Sequence, residues 1–241
     1  MSGRVVSVRV KGQVATLTLI SGSDGQIAAQ LCDAATSVSE NESVRVVVVE
    51  GISEAFPADG LRPHVEPRKF ASSLATVVKP VIAVINGDVI NQALELMLAC
   101  DICIASDESR FGLTNVSHGN MPSDGGTQRL PRAVGQARAL EMLFTSRIVE
   151  AHEALRIGLV AEILPVSEVN TRVQELAAFI SKLAPVAARY LKEAVLSGAD
   201  MTLQQGLRLE SDLGILLHST RDRAEGVQSF EARRRPRFVG E

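Results

Sequence analysis

Tryptophan is absent from this sequence, tyrosine occurs once, and aromatic residues make up 3% of its 241 positions. The one basic cluster, Arg233-Arg234-Arg235-Pro236-Arg237, has only Phe230 and Phe238 beside it, too little stacking surface for a nucleic-acid groove. A net charge of -3 adds no general pull toward nucleic acid or anionic lipid. Cysteine is scarce as well. Cys32, Cys100 and Cys103 are too few, and odd in number, for a disulfide framework, which points to a reducing compartment. Cys100 and Cys103 form a single C-x-x-C, half of what a four-ligand zinc site requires, so no metal is expected. No apolar run reaches the ~18 residues of a membrane span. The N-terminal stretch MSGRVVSVRVKGQVATLTLI alternates charged and apolar residues where a secretion signal would hold one apolar block. These absences predict a cytoplasmic protein, or one of an organelle matrix, with no membrane and no nucleic acid as partner.

What is present suits an enzyme core. With 46% hydrophobic residues, the chain can bury one domain, or one domain with a helical appendage. Val5 to Val10 and Val14 to Ile20 alternate with period two around Lys11-Gly12, a hairpin signal. Helical spacing follows from Gln26 to Val38, then a buried strand from Arg45 to Glu50 and another from Pro80 to Ile85. A helix from about Gln92 to Cys100, a strand from Ile102 to Ala105 and a helix near Gly126 to Arg132 come next. Strands separated by helices predict right-handed crossovers and a parallel sheet. After Pro165 the strands stop, and Glu168 to Leu183, Pro185 to Ser197 and Leu203 to Leu217 read as amphipathic helices. Within this plan Glu95 falls among Ala93, Leu94, Leu96, Met97 and Leu98. A carboxylate amid apolar neighbours must find partners or take an elevated pKa, and a raised pKa suits proton transfer near neutrality.

The segments KPVIAVING, ELMLACDICIAS, RFGL, GGTQRLPRAVGQARALEML and EALRIGLVAEILP, with the C-terminal stretch from LKEAV to PRFVG, resemble the enoyl-CoA hydratase/isomerase (crotonase) family over nearly the whole chain. The resemblance implies an α/β fold, a ClpP/crotonase-like spiral of ββα units with a C-terminal helical region. The core domain would span 1–165 and a helical trimerisation region 166–241. It implies trimers or paired trimers (hexamers). It also implies an acyl-CoA thioester as substrate, with coenzyme A arriving as part of that substrate and no separate cofactor. The family's chemistry uses two backbone N–H groups to hold the thioester oxygen as it gains enolate charge, while nearby acids move protons.

Laid on this sequence, the resemblance gives both matches and departures. One donor follows an F-x-A-G pattern, here Phe56-Pro57-Ala58-Asp59-Gly60, so that Gly60 is the donor and Asp59 stands where glycine is usual. The second comes from a glycine triplet, here Asn91-Gln92-Ala93, with Gln92 supplying the N–H. Glu95 matches the first hydratase glutamate. The second usually closes FGxPE, and here Phe111-Gly112-Leu113-Thr114-Asn115 puts Asn115 in its place. Asparagine can orient water or hold a substrate oxygen, yet it cannot exchange a proton at neutral pH. Where the family carries a longer CoA-contacting loop, Leu19 to Gly25 is shortened.

Other residues join the candidate substrate-binding set. Ala58 and Asp59 flank the first donor, Asp59 reading either as substrate contact or as a loop residue. His64 either lines the acyl pocket or sits on an exposed loop. Asp88 is either a pocket acid or a turn former. Ser123 occupies a place where some family members carry a functional aspartate. Asp124 is either a site acid or an N-cap carboxylate facing backbone N–H groups. The implied activity is that of an enoyl-CoA hydratase or isomerase with an altered site. The alternatives are a decarboxylase or thioester hydrolase of the same fold, or a catalytically weak scaffold or binding protein.

Overall fold

The computed structural model of the chain describes residues 3–56 and 69–241. Its elements run β1 (Val6–Lys11), β2 (Val14–Leu19), α1 (Asp24–Glu40), β3 (Val46–Glu50), α2 (Ile52–Ala55), α3 (Phe70–Leu74), β4 (Val81–Ile85), β5 (Val89–Ile90), α4 (Gln92–Met97), β6 (Ile102–Ser106), β7 (Arg110–Gly112), a 3₁₀ turn (Asn115–His118), α5 (Gly126–Val134), α6 (Gln136–Thr145), β8 (Val149–Glu150), α7 (Ala151–Arg156), β9 (Glu162–Leu164), α8 (Val166–Ile180), α9 (Pro185–Gly198), α10 (Leu203–His218) and α11 (Arg221–Glu231). Six strands form one sheet in the order β1-β2-β3-β4-β6-β9, and β5-β7-β8 form a second, smaller sheet. β1 and β2 are the expected antiparallel hairpin, with Lys11 opposite Val14. From β2 onward the large sheet is parallel.

The apolar strand sequences follow from burial on both faces. Val46, Val48, Ile82, Val84 and Ile104 point to a layer formed by Val169, Val173 and Ala177 of α8. Val47, Val49, Ala83 and Ile85 point the other way, into a core that includes Ile27 and Leu31 of α1, Phe70 and Leu74 of α3, and Leu94 and Met97 of α4. Each buried Val or Ile side chain contributes up to roughly 1.5–3 kcal/mol. The two-sheet arrangement sets the turn before α4 against β7, because β5 leads directly into it and pairs with Phe111 and Gly112.

α4 is shorter than the sequence predicts. Ala99 and Cys100 donate their N–H groups to Leu96 and Met97 at 3.1 and 3.0 Å, three residues back, so the last turn tightens and the helix ends. Past β9 the described chain is helical. Lys192 on α9 reaches Asp101 at 2.8 Å, and Asp222 on α11 accepts from the N–H groups of Val239 and Gly240 at 2.7 and 2.9 Å, pinning the C-terminal tail. Among the described residues no helix is long and apolar enough to cross a membrane.

Candidate active site

Glu95 is 2% exposed, on the first turn of a helix whose residues 93–97 are all buried. Burial lifts its carboxyl above the ordinary glutamate range, and the nearby charge of Asp124 adds to that. The backbone N–H groups of Gly126, Asp124 and Ser123 pull the other way, but the desolvation effect is larger. Two of these donors have clear geometry: Asp124 N–H reaches Oε1 at 2.7 Å and Gly126 N–H at 2.9 Å. Both of these bonds end on Oε1. One oxygen is therefore anchored, and the other has proton-acceptor capacity to spare.

The Gly125-Gly126 pair makes this anchoring possible. Gly125 caps α5 with φ +103, a backbone region that side chains resist. At Gly126 a methyl group would stand 2.8 Å from Pro122 Cβ, 3.1 Å from Leu113 Cδ1 and 3.2 Å from Glu95 Cγ. Only a residue without Cβ lets the start of α5 come this close to the carboxylate.

The turn that opens α4 begins with a strained asparagine. Asn91 takes φ +53 and ψ −113, one of three non-glycine positive φ values among the described residues. Such a conformation costs of the order of 1–3 kcal/mol and persists only where surroundings impose it. Here the surroundings are explicit. Asn91 N–H donates to Gly112 O at 2.9 Å, its carbonyl accepts from Glu95 N–H at 3.0 Å, its Oδ1 accepts from Thr114 N–H at 2.7 Å, and its Nδ2 donates to Thr114 Oγ1 at 3.0 Å. The sequence set Asn91 at the head of the altered triplet, but its contact with Thr114 was not read from it. The only hint there was an asparagine, a residue more tolerant than most of positive φ, at a glycine position.

Asn115 follows Thr114 and begins the 3₁₀ turn. Its Oδ1 is buried and has no hydrogen-bond partner. An orphaned buried acceptor is costly, and it is the kind of group that a bound water or ligand would satisfy.

The remaining expected residues divide. Gln92 is half-buried and is the first residue of α4. Asp124 is 6% exposed and is a cap carboxylate, but of α3 instead of its own helix: it accepts from Ala71 N–H at 2.6 Å, Ser72 N–H at 3.1 Å and Ser72 Oγ at 2.5 Å. Three donors occupy the Asp124 carboxylate, and its hydrogen bond to Glu95 comes from its main-chain N–H. Asp88 is held by Arg110 in a two-pronged ion pair at 2.9 and 2.5 Å, so it braces the β7 edge. Ser123 is exposed. Ala58, Asp59, Gly60 and His64 lie outside the described residues. His118 is exposed, with Nδ1 beside Ser117 Oγ and Thr114 O at 2.9 and 3.1 Å. Burial pushes the Cys103 thiol up to about 12 and the Cys100 thiol well above its usual value, so both stay protonated as packing groups.

The model of the enoyl-CoA hydratase/isomerase family matches residues 24–241. A relative from Thauera aromatica, (E)-benzylidenesuccinyl-CoA hydratase, is 34% identical over 98% of this chain and 99% of its own length. Among solved structures, an enoyl-CoA hydratase from Bacillus anthracis superposes with a TM-score of 0.87 at 29% identity, covering 99% of this chain and 100% of that one. One from Geobacillus kaustophilus HTA426 gives 0.87 at 31% identity over the whole of both chains. The fold is thus the crotonase fold, with its helical C-terminal region.

Proposed function

The chain belongs to the enoyl-CoA hydratase/isomerase family of acyl-CoA enzymes, and within it we propose that it carries out hydration or double-bond isomerisation of an enoyl-CoA thioester with Glu95 as the sole proton-transferring acid. The observation that carries this reading is the state of Glu95: buried, its pKa raised, and one oxygen fixed by the Asp124 and Gly126 N–H groups. In hydration, ionised Glu95 takes a proton from water as the water oxygen bonds to Cβ. The electron pair of the double bond moves toward the thioester, whose carbonyl oxygen becomes an enolate. The backbone N–H groups of Gly60 and Gln92 are the proposed donors to that oxygen. Protonated Glu95 then delivers its proton to Cα, so that one carboxyl serves both steps and one water is added.

Asn115 is assigned to orienting the water or a substrate oxygen, a role its orphaned Oδ1 supports. Coenzyme A comes with the substrate, and no separate cofactor or metal is invoked. Arg235 and Arg237 are exposed at the C-terminus, whereas Arg234 is taken by Glu225; the first two are candidates for the CoA phosphates. The proposed assembly is a trimer or a pair of trimers in the cytoplasm. Exposed apolar side chains at Leu191, Val195, Leu203 and Ile215 support association, and a one-chain mass by light scattering would refute it.

Replacement of the second glutamate by Asn115 also favours a one-acid reaction such as decarboxylation or thioester hydrolysis. A panel of acyl-CoA thioesters incubated with the protein and followed by mass spectrometry separates these. Gain of one water, or unchanged mass with altered retention, is the expected result. Loss of CO₂ or release of free CoA would select the alternatives, and no change across the panel would select a binding protein.

A further inference from the structure

We propose that Asn91 is a positioning residue that holds Glu95 and Asn115 in one fixed relation. The inference rests on the roles assigned above to those two residues. Asn91 touches both segments with different parts of itself. Its main-chain carbonyl receives the Glu95 N–H at 3.0 Å, which closes the turn that carries the carboxylate. Its carboxamide clamps Thr114, the residue before Asn115, through Thr114 N–H at 2.7 Å and Thr114 Oγ1 at 3.0 Å.

The clamp matters because the Asn115 side chain has no hydrogen bond to fix it: among the described residues its carboxamide makes none, and its Oδ1 is buried without a partner. Its side chain is therefore aimed through its backbone and packing. That backbone is held on one side by Thr114, whose carbonyl accepts from Ser117 N–H at 3.2 Å and Ser117 Oγ at 2.7 Å, and on the other by the Asn115 carbonyl, which accepts from Asn120 N–H at 3.0 Å. A glycine at position 91 would adopt the same φ more readily and keep the main-chain bonds to Gly112 and Glu95. It would leave Thr114 N–H and Oγ1 unheld. The strained asparagine is thus explained by what its side chain does 23 residues along the chain. Two departures from the family pattern, at 91 and at 115, form a single device.

The test compares Asn91→Gly, Thr114→Val and the double variant with the unaltered protein, on whichever acyl-CoA thioester the panel shows to be turned over. Asn91→Gly should unfold at the same temperature or higher and keep KM within about twofold. Its kcat should fall by roughly 10- to 100-fold, since misplacement of a reacting group by about 1 Å can cost that much. Thr114→Val should lose less, because its N–H still meets Asn91 Oδ1, and the double variant should lose no more than Asn91→Gly alone. Unchanged kcat in Asn91→Gly, a loss that follows lowered stability, or losses that simply add would overturn the proposal. If the unaltered protein turns over no thioester, the functional reading fails and the clamp is judged by amide hydrogen exchange. Faster exchange at Thr114 and Asn115 in Asn91→Gly then supports it, and unchanged exchange refutes it.

Discussion

Gly126 N–H lies 2.9 Å from Glu95 Oε1, and a methyl group on Gly126 would stand 3.2 Å from Glu95 Cγ. The same approach that supplies the hydrogen bond therefore forbids any side chain at 126. Gly126→Ala should force α5 away from Pro122, Leu113 and Glu95, with an overpacking cost of about 1–3 kcal/mol. Chemical denaturation should show that loss, together with reduced turnover. A variant as stable as the parent would mean that the start of α5 is not held this tightly.

Glu95 also ties stability to pH. Burial raises its carboxyl pKa in the folded protein, so folding favours the protonated form. The resulting stability is fully present below the ordinary glutamate pKa and is lost as pH rises through the raised folded value. In the proposed reaction the ionised form accepts the proton, so turnover should rise with pH across the same window. Denaturation midpoints of the parent and Glu95→Gln, taken over a pH series, should diverge there, the parent losing stability relative to the variant as pH increases. Parallel curves would show that Glu95 has the same pKa folded and unfolded.

Asn115→Glu would place an acid where the family resemblance puts the second glutamate. If its absence limits hydration, the variant should gain crotonyl-type hydratase activity over the parent. No gain in a variant that still binds CoA esters would point to the oxyanion turn, or to a different native reaction, as the limit.

Much of the large sheet could be read from the chain because β3 and β4 are apolar at nearly every residue, the pattern of strands covered on both sides. The smaller sheet could not, since β5 and β8 are two residues long and β7 three, too short to show any period. At the site, Glu95 was legible because a carboxylate inside an apolar helix has few explanations. The partners of Asp124 were not: its carboxylate caps α3 across 53 residues, and sequence spacing gives no sign of such a reach. The Asn91 clamp on Thr114 was hidden for the same reason, since a side chain at a turn shows its local fitness in the sequence but not its tertiary partner.

Proton transfer by Glu95 is decided by kcat/KM for an enoyl-CoA thioester in Glu95→Gln against the parent. Glutamine keeps an oxygen for the Asp124 and Gly126 N–H groups, so the fold should survive while the proton acceptor is lost. The variant should fold correctly and show kcat/KM lower by about 10²–10⁴-fold. Turnover equal to the parent's in that folded variant would contradict it.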